Sequence, residues 1–177
     1  SLGGSRKPYN RERKAALNTI VSEVYSPPRV RAAAELLPSP KVIPGAALDL
    51  TVGQEGGSPW GSDVTANRMK ARALYEEQRL ALLVSSVICT VFSALHAMNE
   101  HRRDPEVVRR ERVRAMVHLQ FLCALYQMQI DEGRDFLHDH PGGAAPWKYN
   151  CVQDIWSHPD VQRITNHLCQ SGQKHEG

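Results

Sequence analysis

The sequence lacks the features that mark secreted, membrane-spanning and disulfide-rich proteins. Its 177 residues include only four cysteines, and no two of them form a CxxC pair, so neither a disulfide framework nor a zinc ribbon is indicated. We expect free thiols in an intracellular compartment, nuclear or cytoplasmic. A signal peptide and a run of about 18 apolar residues are both missing, and we therefore expect no membrane partner.

Aromatic residues are also scarce, at 6% of the chain, and we expect the three tryptophans to pack in the protein rather than stack on bases. Several metal-binding residue types do occur toward the C-terminus: His138, His140, Cys151, His158, His167, Cys169 and His175. Because their spacing includes no HxxxH pair, we predict no metal site.

Neither sign of charge dominates, since the formal net charge is only +3, but the arginines are clustered. One group lies near the N-terminus, and a second consists of Arg102, Arg103, Arg109, Arg110, Arg112 and Arg114. Such groups either bind the phosphates of a nucleic acid or form a solvent-exposed helix face. The first residue is serine rather than methionine, and we expect a piece of a longer protein with flanking domains.

Apolar segments of strand type alternate with segments of helical periodicity along the chain. The predicted strands are 20–25, 46–50, 63–64, 82–86 and 135–138, and the predicted helices are 11–17, 29–37, 66–79 and two that begin at residues 90 and 105. This alternation predicts an α/β fold with a Rossmann-like, mostly parallel sheet and helices on both faces. We assign residues 11–170 to this domain, residues 1–10 to a disordered segment and residues 171–177 to a flexible tail.

The clearest helix follows Asp104, which is a good N-cap, and has Pro105 at its first position. Apolar residues recur with a 3.6-residue period from Val113 to Met128, while arginines occupy the other face of the first half. Gly133 is a typical stop signal. We therefore expect one apolar stripe of this helix to lie in the core.

Polar residues follow the predicted strands, at the points where a parallel sheet gathers its carboxyl ends. In chain order they are Glu23, Tyr25, Asp49, Asp63, Cys89 and Asp139. Ligands of such folds bind at this edge, and acids after the early strands hold the ribose hydroxyls of a nucleoside cofactor. We therefore predict that the first four residues bind a cofactor and that the last two act together on one substrate.

Cys89 lies where α/β enzymes present a nucleophile, between a strand and a new amphipathic segment. The strand would fix the Cα atom, and the N-terminus of a following helix would favour the thiolate. The alternative is a structural, buried cysteine, which is the commoner state of a single cysteine.

Four segments together resemble the divergent cytosine-5 DNA methyltransferase-like domains of eukaryotic mobile-element polyproteins. They are residues 23–28 (EVYSPP), 47–51 (ALDLT), 89–93 (CTVFS) and 136–141 (FLHDHP). The resemblance runs from residue 21 to residue 169, and it implies a methyltransferase-like fold that is truncated at its C-terminus. It also implies S-adenosylmethionine as the methyl donor and DNA as the substrate.

The same resemblance assigns roles to individual residues. Cys89 would be the nucleophile, and Asp139 the acid that contacts the flipped cytosine. Carbon 5 of cytosine is a weak nucleophile, so the thiolate adds at carbon 6 and creates an enamine that can attack the donor methyl group. The acid assists by binding ring nitrogen 3 and stabilising the charge that develops. Residues expected to contact the substrate are Thr90, Ser93, Arg102 and Arg103.

Departures from the family pattern leave other functions open. Ile88 stands where the family has a proline before the nucleophile, Asp139 replaces a glutamate, and residues 26–29 (SPPR) replace a glycine-rich loop. The alternative is a non-catalytic, nucleic-acid-binding or structural remnant of such a domain in a polyprotein. A third hypothesis is a cysteine hydrolase in which Cys89 acts with His138 or His140.

Overall fold

The computed structural model describes residues 19–26, 28–37, 42–49, 65–86, 90–93 and 98–166. Within these ranges the strands are β1 (Ile20–Val24), β2 (Ile43–Leu48), β3 (Leu82–Ser86) and β4 (Asp135–Asp139), and the α-helices are α1 (Arg29–Leu36), α2 (Thr65–Gln78), α3 (Pro105–Asp131) and α4 (Asn150–Trp156). Short 3-10 turns cover Thr90–Phe92, Glu100–Arg102 and Ala145–Lys148. Among our predictions, the helix at 11–17, the strand at 63–64 and both terminal segments lie outside the described residues.

The four described strands form one sheet in the order β2-β1-β3-β4, and every neighbouring pair is parallel. The predicted α/β fold with a Rossmann-like parallel sheet is therefore confirmed. The chain goes from β1 outward to β2 and then crosses back past β1 to reach β3. This reversal creates a topological switch point between the carboxyl ends of β1 and β3, where open α/β sheets bind their ligands.

Helices cover both faces of the sheet. Successive side chains of a strand point to opposite faces, and in β1 the Glu23 carboxylate contacts α1 whereas the Ser22 hydroxyl donates to Gln78 of α2 at 3.3 Å. Val24 is two positions from Ser22 and shares its face of the sheet. Ser85 of β3 pairs in register with Val24 and contacts α3, so α3 is on the same face as α2. Helix α1 is thus on one face, and α2 and α3 are on the other.

The second strand begins earlier than predicted. We expected it at residues 46–50, because Pro44 and Gly45 are usually strand breakers, but β2 runs from Ile43 to Leu48. A proline is tolerated in an outer strand, where its missing N–H costs no ladder bond, and β2 pairs only with β1 among the described strands. Gly45 is needed because a Cβ atom there would lie 2.8 Å from Cγ2 of Ile20 and would overlap the Ser22 hydroxyl.

The segment after Cys89 also differs from the prediction. We predicted a helix from residue 90, but the chain forms the 3-10 turn Thr90–Phe92 there; residues 98–99 are α-helical, and residues 94–97 lie outside the described residues. Phe92 is 8% exposed and packs edge-on against Tyr149, with the ring centroids 5.8 Å apart. One buried aromatic residue therefore holds this turn against the rest of the domain.

The long helix α3 has the predicted termini. The Asp104 side chain accepts a hydrogen bond from the Glu106 N–H at 2.8 Å, Pro105 occupies the first turn, and Gly133 has a positive φ of 65° just after the helix. The buried side of α3 supplies much of the core, including Leu119, Leu122 and Leu125, whereas Val113, the first residue of the predicted stripe, is 54% exposed. The described part of the chain contains no helix that combines the length and the apolar composition of a bilayer crossing.

Candidate functional site

The candidate site is the carboxyl edge of the sheet. Asp49 follows β2, Tyr25 follows β1, and Asp139 is the last residue of β4. Asp139 pairs in register with Ser86, the last residue of β3. Cys89 and Asp63 lie outside the described residues, but Cys89 follows Ser86 by three positions in the sequence. Strand β3 therefore ends beside Asp139, three residues before Cys89 in the sequence.

The two acids of this edge differ in position and burial. Asp49 is 6% exposed, whereas the Asp139 residue is exposed. They are separated by three strand spacings, or about 14 Å. At this separation the two carboxylates cannot contact the same functional group of a ligand. They can contact the two ends of a long ligand, or two ligands bound side by side. The edge is thus divided into a half near Asp49 and a half near Asp139.

Glu23 is fully buried, and its carboxylate binds the backbone of this chain. Its carboxylate accepts hydrogen bonds from the backbone N–H groups of Arg31 at 2.9 Å and Val30 at 3.3 Å, both in the first turn of α1. These groups would otherwise have no partner in the helix, and the negative charge complements the helix dipole. The structure places the Glu23 carboxylate on the first turn of α1; its predicted contact with a cofactor stays a prediction.

This arrangement fills the place where Rossmann folds bind phosphate. In dinucleotide-binding proteins the pyrophosphate lies at the N-terminus of the first helix after a glycine-rich turn. Here a buried carboxylate occupies that position, and residues 26–29 (SPPR) form the connection. A phosphate there would meet the negative charge of Glu23, so the β1–α1 turn suits a ligand without phosphate groups.

Tyr25 turns away from a regular strand conformation. Its φ of 58° is in the left-handed region that non-glycine residues rarely adopt. The phenol oxygen lies 3.0 Å from Nδ1 of His118 on α3, and the two rings meet edge-on at 5.2 Å. Tyr25 therefore connects the end of β1 to α3. Its predicted contact with a cofactor stays a prediction.

A buried hydrogen-bonded chain lies on the face opposite to Asp139. Ser85 of β3 contacts the Tyr126 hydroxyl of α3, and that hydroxyl lies 2.7 Å from Nδ1 of His138 in β4. Burial, reinforced by nearby His140, lowers the pKa of His138 to about 4. His138 is therefore neutral at pH 7 and a weak base, which disfavours the hydrolase hypothesis for this histidine.

Sequence reasoning did not find Tyr126 as a partner of His138. Tyr126 belongs to the apolar stripe of α3, and 41 positions separate it from Ser85. The only signal in the sequence was the hydroxyl of Tyr126 on an otherwise apolar stripe. A buried hydroxyl needs a hydrogen-bond partner in the core.

The predicted substrate-binding residues lie on the turns that follow β3. The Ser93 hydroxyl donates to the Thr90 carbonyl at 2.9 Å and so closes its own turn. Arg103 donates to both carboxylate oxygens of Glu111, at 2.8 and 2.6 Å. Arg102 is exposed and has no ion pair among the described residues. Arg102 therefore offers its charge to a ligand more directly than Arg103.

An aromatic cluster packs beyond the end of β4. The Arg163 guanidinium carbon lies 4.7 Å from the ring centroids of both Trp147 and Trp156, and Arg163 also donates to the Gly142 carbonyl at 3.0 Å. The Trp147 indole donates to the Pro141 carbonyl at 2.8 Å. Both tryptophans thus contact the chain itself, as we expected of isolated tryptophans, and Trp60 lies outside the described residues.

One of the two described thiols, that of Cys123, is unsuited to nucleophilic catalysis. Cys123 of α3 is 7% exposed, and burial together with the neighbouring Cys151 thiol raises the pKa of Cys123. Both cysteines are free. In the described ranges no three metal-ligating side chains come together. Cys89 remains the predicted nucleophile.

Comparison with known proteins gives no match: no family model, curated protein or solved structure is similar to this chain.

Proposed function

We propose that this chain is a degenerate DNA cytosine-5 methyltransferase-like domain that binds S-adenosylmethionine and uses Cys89 as its nucleophile. The observation that supports the proposal most strongly is the register of Ser86 with Asp139 at the carboxyl edge of a parallel sheet. This register brings the chain segment of the proposed nucleophile and the proposed acid to adjacent strands. The motifs around residues 89 and 139 supply the chemical resemblance.

The described residues fit a nucleoside cofactor without phosphate groups. Asp49 at the end of β2 is the residue type that holds ribose hydroxyls in Rossmann-like folds, and its burial would strengthen such a hydrogen bond. The Glu23 carboxylate at the N-terminus of α1 disfavours phosphate but not a nucleoside with an amino-acid side arm. When bound, S-adenosylmethionine supplies an electrophilic methyl group.

The protein's own groups would carry the remaining steps. The Cys89 thiolate would form a bond to carbon 6 of an extruded cytosine, while the Asp139 side chain would bind the protonated ring nitrogen 3. Once the methyl group is on carbon 5 and the demethylated cofactor has left, loss of the carbon-5 proton to water, expulsion of the thiolate and release of the proton on ring nitrogen 3 would restore the ring. Asp139 is one methylene shorter than the glutamate of the family, and a displacement of about 1 Å in a catalytic group can slow a reaction by about a hundredfold.

Calorimetric titration with S-adenosylmethionine tests the cofactor half of the proposal. We expect binding by the wild type and a loss of about 1.5–3 kcal/mol in the Asp49→Ala variant, the value of a hydrogen bond to a charged group. Asp160→Ala removes an exposed carboxylate of the same type and serves as the matched control. Equal affinities of the Asp49→Ala variant and the wild type would contradict the assignment of Asp49.

DNA that contains 5-fluorocytosine tests the catalytic half. Fluorine at carbon 5 blocks release, so an active site leaves a covalent adduct on Cys89 that mass spectrometry detects. Cys89→Ser serves as the control. No adduct in the presence of cofactor would contradict the enzyme proposal.

The second candidate function is that of a non-catalytic domain derived from such an enzyme, which binds nucleic acid or has a structural role. Its support is the apolar Ile88 before Cys89, because apolar surroundings raise the pKa of a thiol. Nucleic-acid binding without an adduct and without cofactor affinity would favour this candidate.

A further inference from the structure

Helix α3 extends well past the carboxyl edge of the sheet. It enters after β3 and leaves before β4, so it runs antiparallel to the strands. His118 contacts Tyr25 at the carboxyl edge, whereas Gln129 donates to the carbonyls of Leu80 and Asp135 near the amino ends of β3 and β4. Gln129 follows His118 by eleven positions, a rise of about 17 Å along the helix, which matches the length of a five-residue strand.

Everything in α3 before His118 therefore lies beyond that edge, on the side of the candidate site. This part covers thirteen residues, from Pro105 to Val117, and is about 20 Å long. We call it the α3 extension. It carries Arg109, Arg110, Arg112 and Arg114.

One side of the α3 extension forms a shallow groove of about 320 Å³. It is lined by Arg109, Arg110, Val113, Arg114 and Val117, with no acidic residue among them. Arg110 and Arg114 are one helical turn apart, a spacing at which like charges repel. Val113 is 54% exposed between them. The helix thus holds several guanidinium groups together around an apolar floor.

Two acids near the groove form ion pairs that are open to solvent. Glu106 is paired with Arg109 at 2.7 Å and Glu100 with Arg112 at 2.6 Å, and all four side chains are at least 23% exposed. Such exposed pairs contribute little stability, so a phosphate can replace a carboxylate on Arg109. Residues 100–114 contain six arginines and four acids, which leaves two positive charges in excess.

We propose that the groove of the α3 extension binds the phosphate backbone of a DNA duplex and positions it at the carboxyl edge. Guanidinium groups suit phosphate because they donate in a planar fork, and a single helix fits the major groove, which is about 12 Å wide. The inference deepens the proposed function, since it takes the substrate to be DNA. It does not require the cofactor or Cys89.

The test is fluorescence anisotropy of a labelled DNA duplex with the full chain, without cofactor and at several salt concentrations. The variant Arg110→Gln with Arg114→Gln removes two charges from the groove and keeps good helix formers. Lys70→Gln with Arg72→Gln removes two charges from the exposed face of α2 and serves as the matched control. Circular dichroism and thermal unfolding confirm that both variants are folded.

We expect the groove variant to bind the duplex at least tenfold more weakly, with the slope of log affinity against log salt smaller by about two. The control should change affinity less than threefold. Equal losses in both variants would show only a net-charge effect and would overturn the proposal. No binding by the wild type, or a change in oligomeric state with unchanged DNA affinity, would overturn it as well.

Failure of the proposed function remains distinguishable from failure of this inference. A wild type that binds DNA through the groove but forms no adduct with 5-fluorocytosine supports the inference and contradicts the enzyme. If the wild type forms the adduct but the groove variant binds DNA as tightly as the wild type, the enzyme proposal is supported and the inference about the groove is contradicted.

Discussion

The Tyr126 hydroxyl lies 2.7 Å from Nδ1 of His138, so the long helix α3 is joined to β4 by a buried polar contact. The same hydroxyl also contacts Ser85, and β3, α3 and β4 thereby share one hydrogen-bonded chain. Tyr126 is 3% exposed and Ser85 is fully buried. Because water cannot replace a lost partner there, this chain should contribute to stability more than an exposed polar contact.

Replacing Tyr126 with phenylalanine should lower the free energy of unfolding by about 1–3 kcal/mol. The substitution keeps the ring that stacks on Phe136 at 4.4 Å but leaves Ser85 and Nδ1 of His138 without their shared partner. Tyr149→Phe serves as the control, because no hydrogen bond of the Tyr149 hydroxyl is present among the described residues. Urea unfolding of both variants measures the difference, and equal midpoints would contradict the assigned role of the hydroxyl.

Stability should fall as the pH drops from about 6.5 toward 4. In the unfolded chain His138 binds its proton near pH 6.5, but in the folded protein burial lowers its pKa to about 4. Between these values the unfolded state holds more protons, so the contribution is complete above pH 6.5 and is lost toward pH 4. For His138 the loss is on the order of 3 kcal/mol, and burial lowers the pKa of His140 in the same direction.

Urea unfolding at a series of pH values measures this dependence. His138→Asn should flatten it, whereas His101→Asn, a change at an exposed turn position, should leave it intact. Parallel curves for the wild type and His138→Asn would rule out His138 as the source.

Replacing Glu23 with glutamine should cost about 1–3 kcal/mol of stability. One oxygen that accepts from the first turn of α1 becomes an NH₂ group, and a negative charge is lost at the positive end of the helix. Glu35→Gln is the matched control, because that residue forms only an exposed pair with Arg31 and should change stability by less than about 0.5 kcal/mol. Thermal unfolding compares the two, and a similar effect of both substitutions would contradict the capping role.

Replacing Gly45 with alanine should destabilise the sheet strongly. The new Cβ atom would meet Ile20 at 2.8 Å and the Val21 carbonyl at 3.1 Å, so β1 and β2 would have to separate. Gly143→Ala introduces the same methyl group where nothing lies within 4 Å and should be nearly neutral. Expression and thermal unfolding of the pair provide the measurement. A melting temperature of Gly45→Ala as high as that of Gly143→Ala would disprove the close approach.

Among the described thiols, Cys123 should react with iodoacetamide more slowly than Cys151. Cys123 is buried, and burial raises its pKa, whereas Cys151 is partly exposed. Mass spectrometry of the native protein at pH 8 should show at least a tenfold difference, which unfolding in guanidinium should abolish. If Cys89 is the nucleophile, it should react faster than both.

Local signals predicted much of the fold. Leu82–Ser86 is an uninterrupted apolar run that ends in small polar residues, and β3 has these bounds. Asp104 and Gly133 define the ends of α3 through the chemistry of capping and of positive φ. The start of β2 was predicted wrongly. Gly45 is part of the strand because side chains of β1 leave no room for a Cβ atom there, and the neighbouring sequence does not show this.

The site was predictable only in part. A parallel sheet brings the ends of its strands together whatever its side chains are, so the shared edge of Asp49 and Asp139 followed from topology. Whether an acid at a strand end faces a ligand or the protein depends on the next helix, and Glu23 faces α1. The contact between Tyr126 and Ser85 joins distant segments and has no local signature.

The Glu23 carboxylate on α1 also has a consequence for the order in which the domain folds. Because an eight-residue helix is not stable alone, we expect α1 to form together with the end of β1. Only eight positions separate Glu23 from Arg31, and a loop of this length closes in about 10–100 ns. Because β1 lies between β2 and β3, a unit of β1 and α1 would have both edges of β1 available for pairing with the later strands.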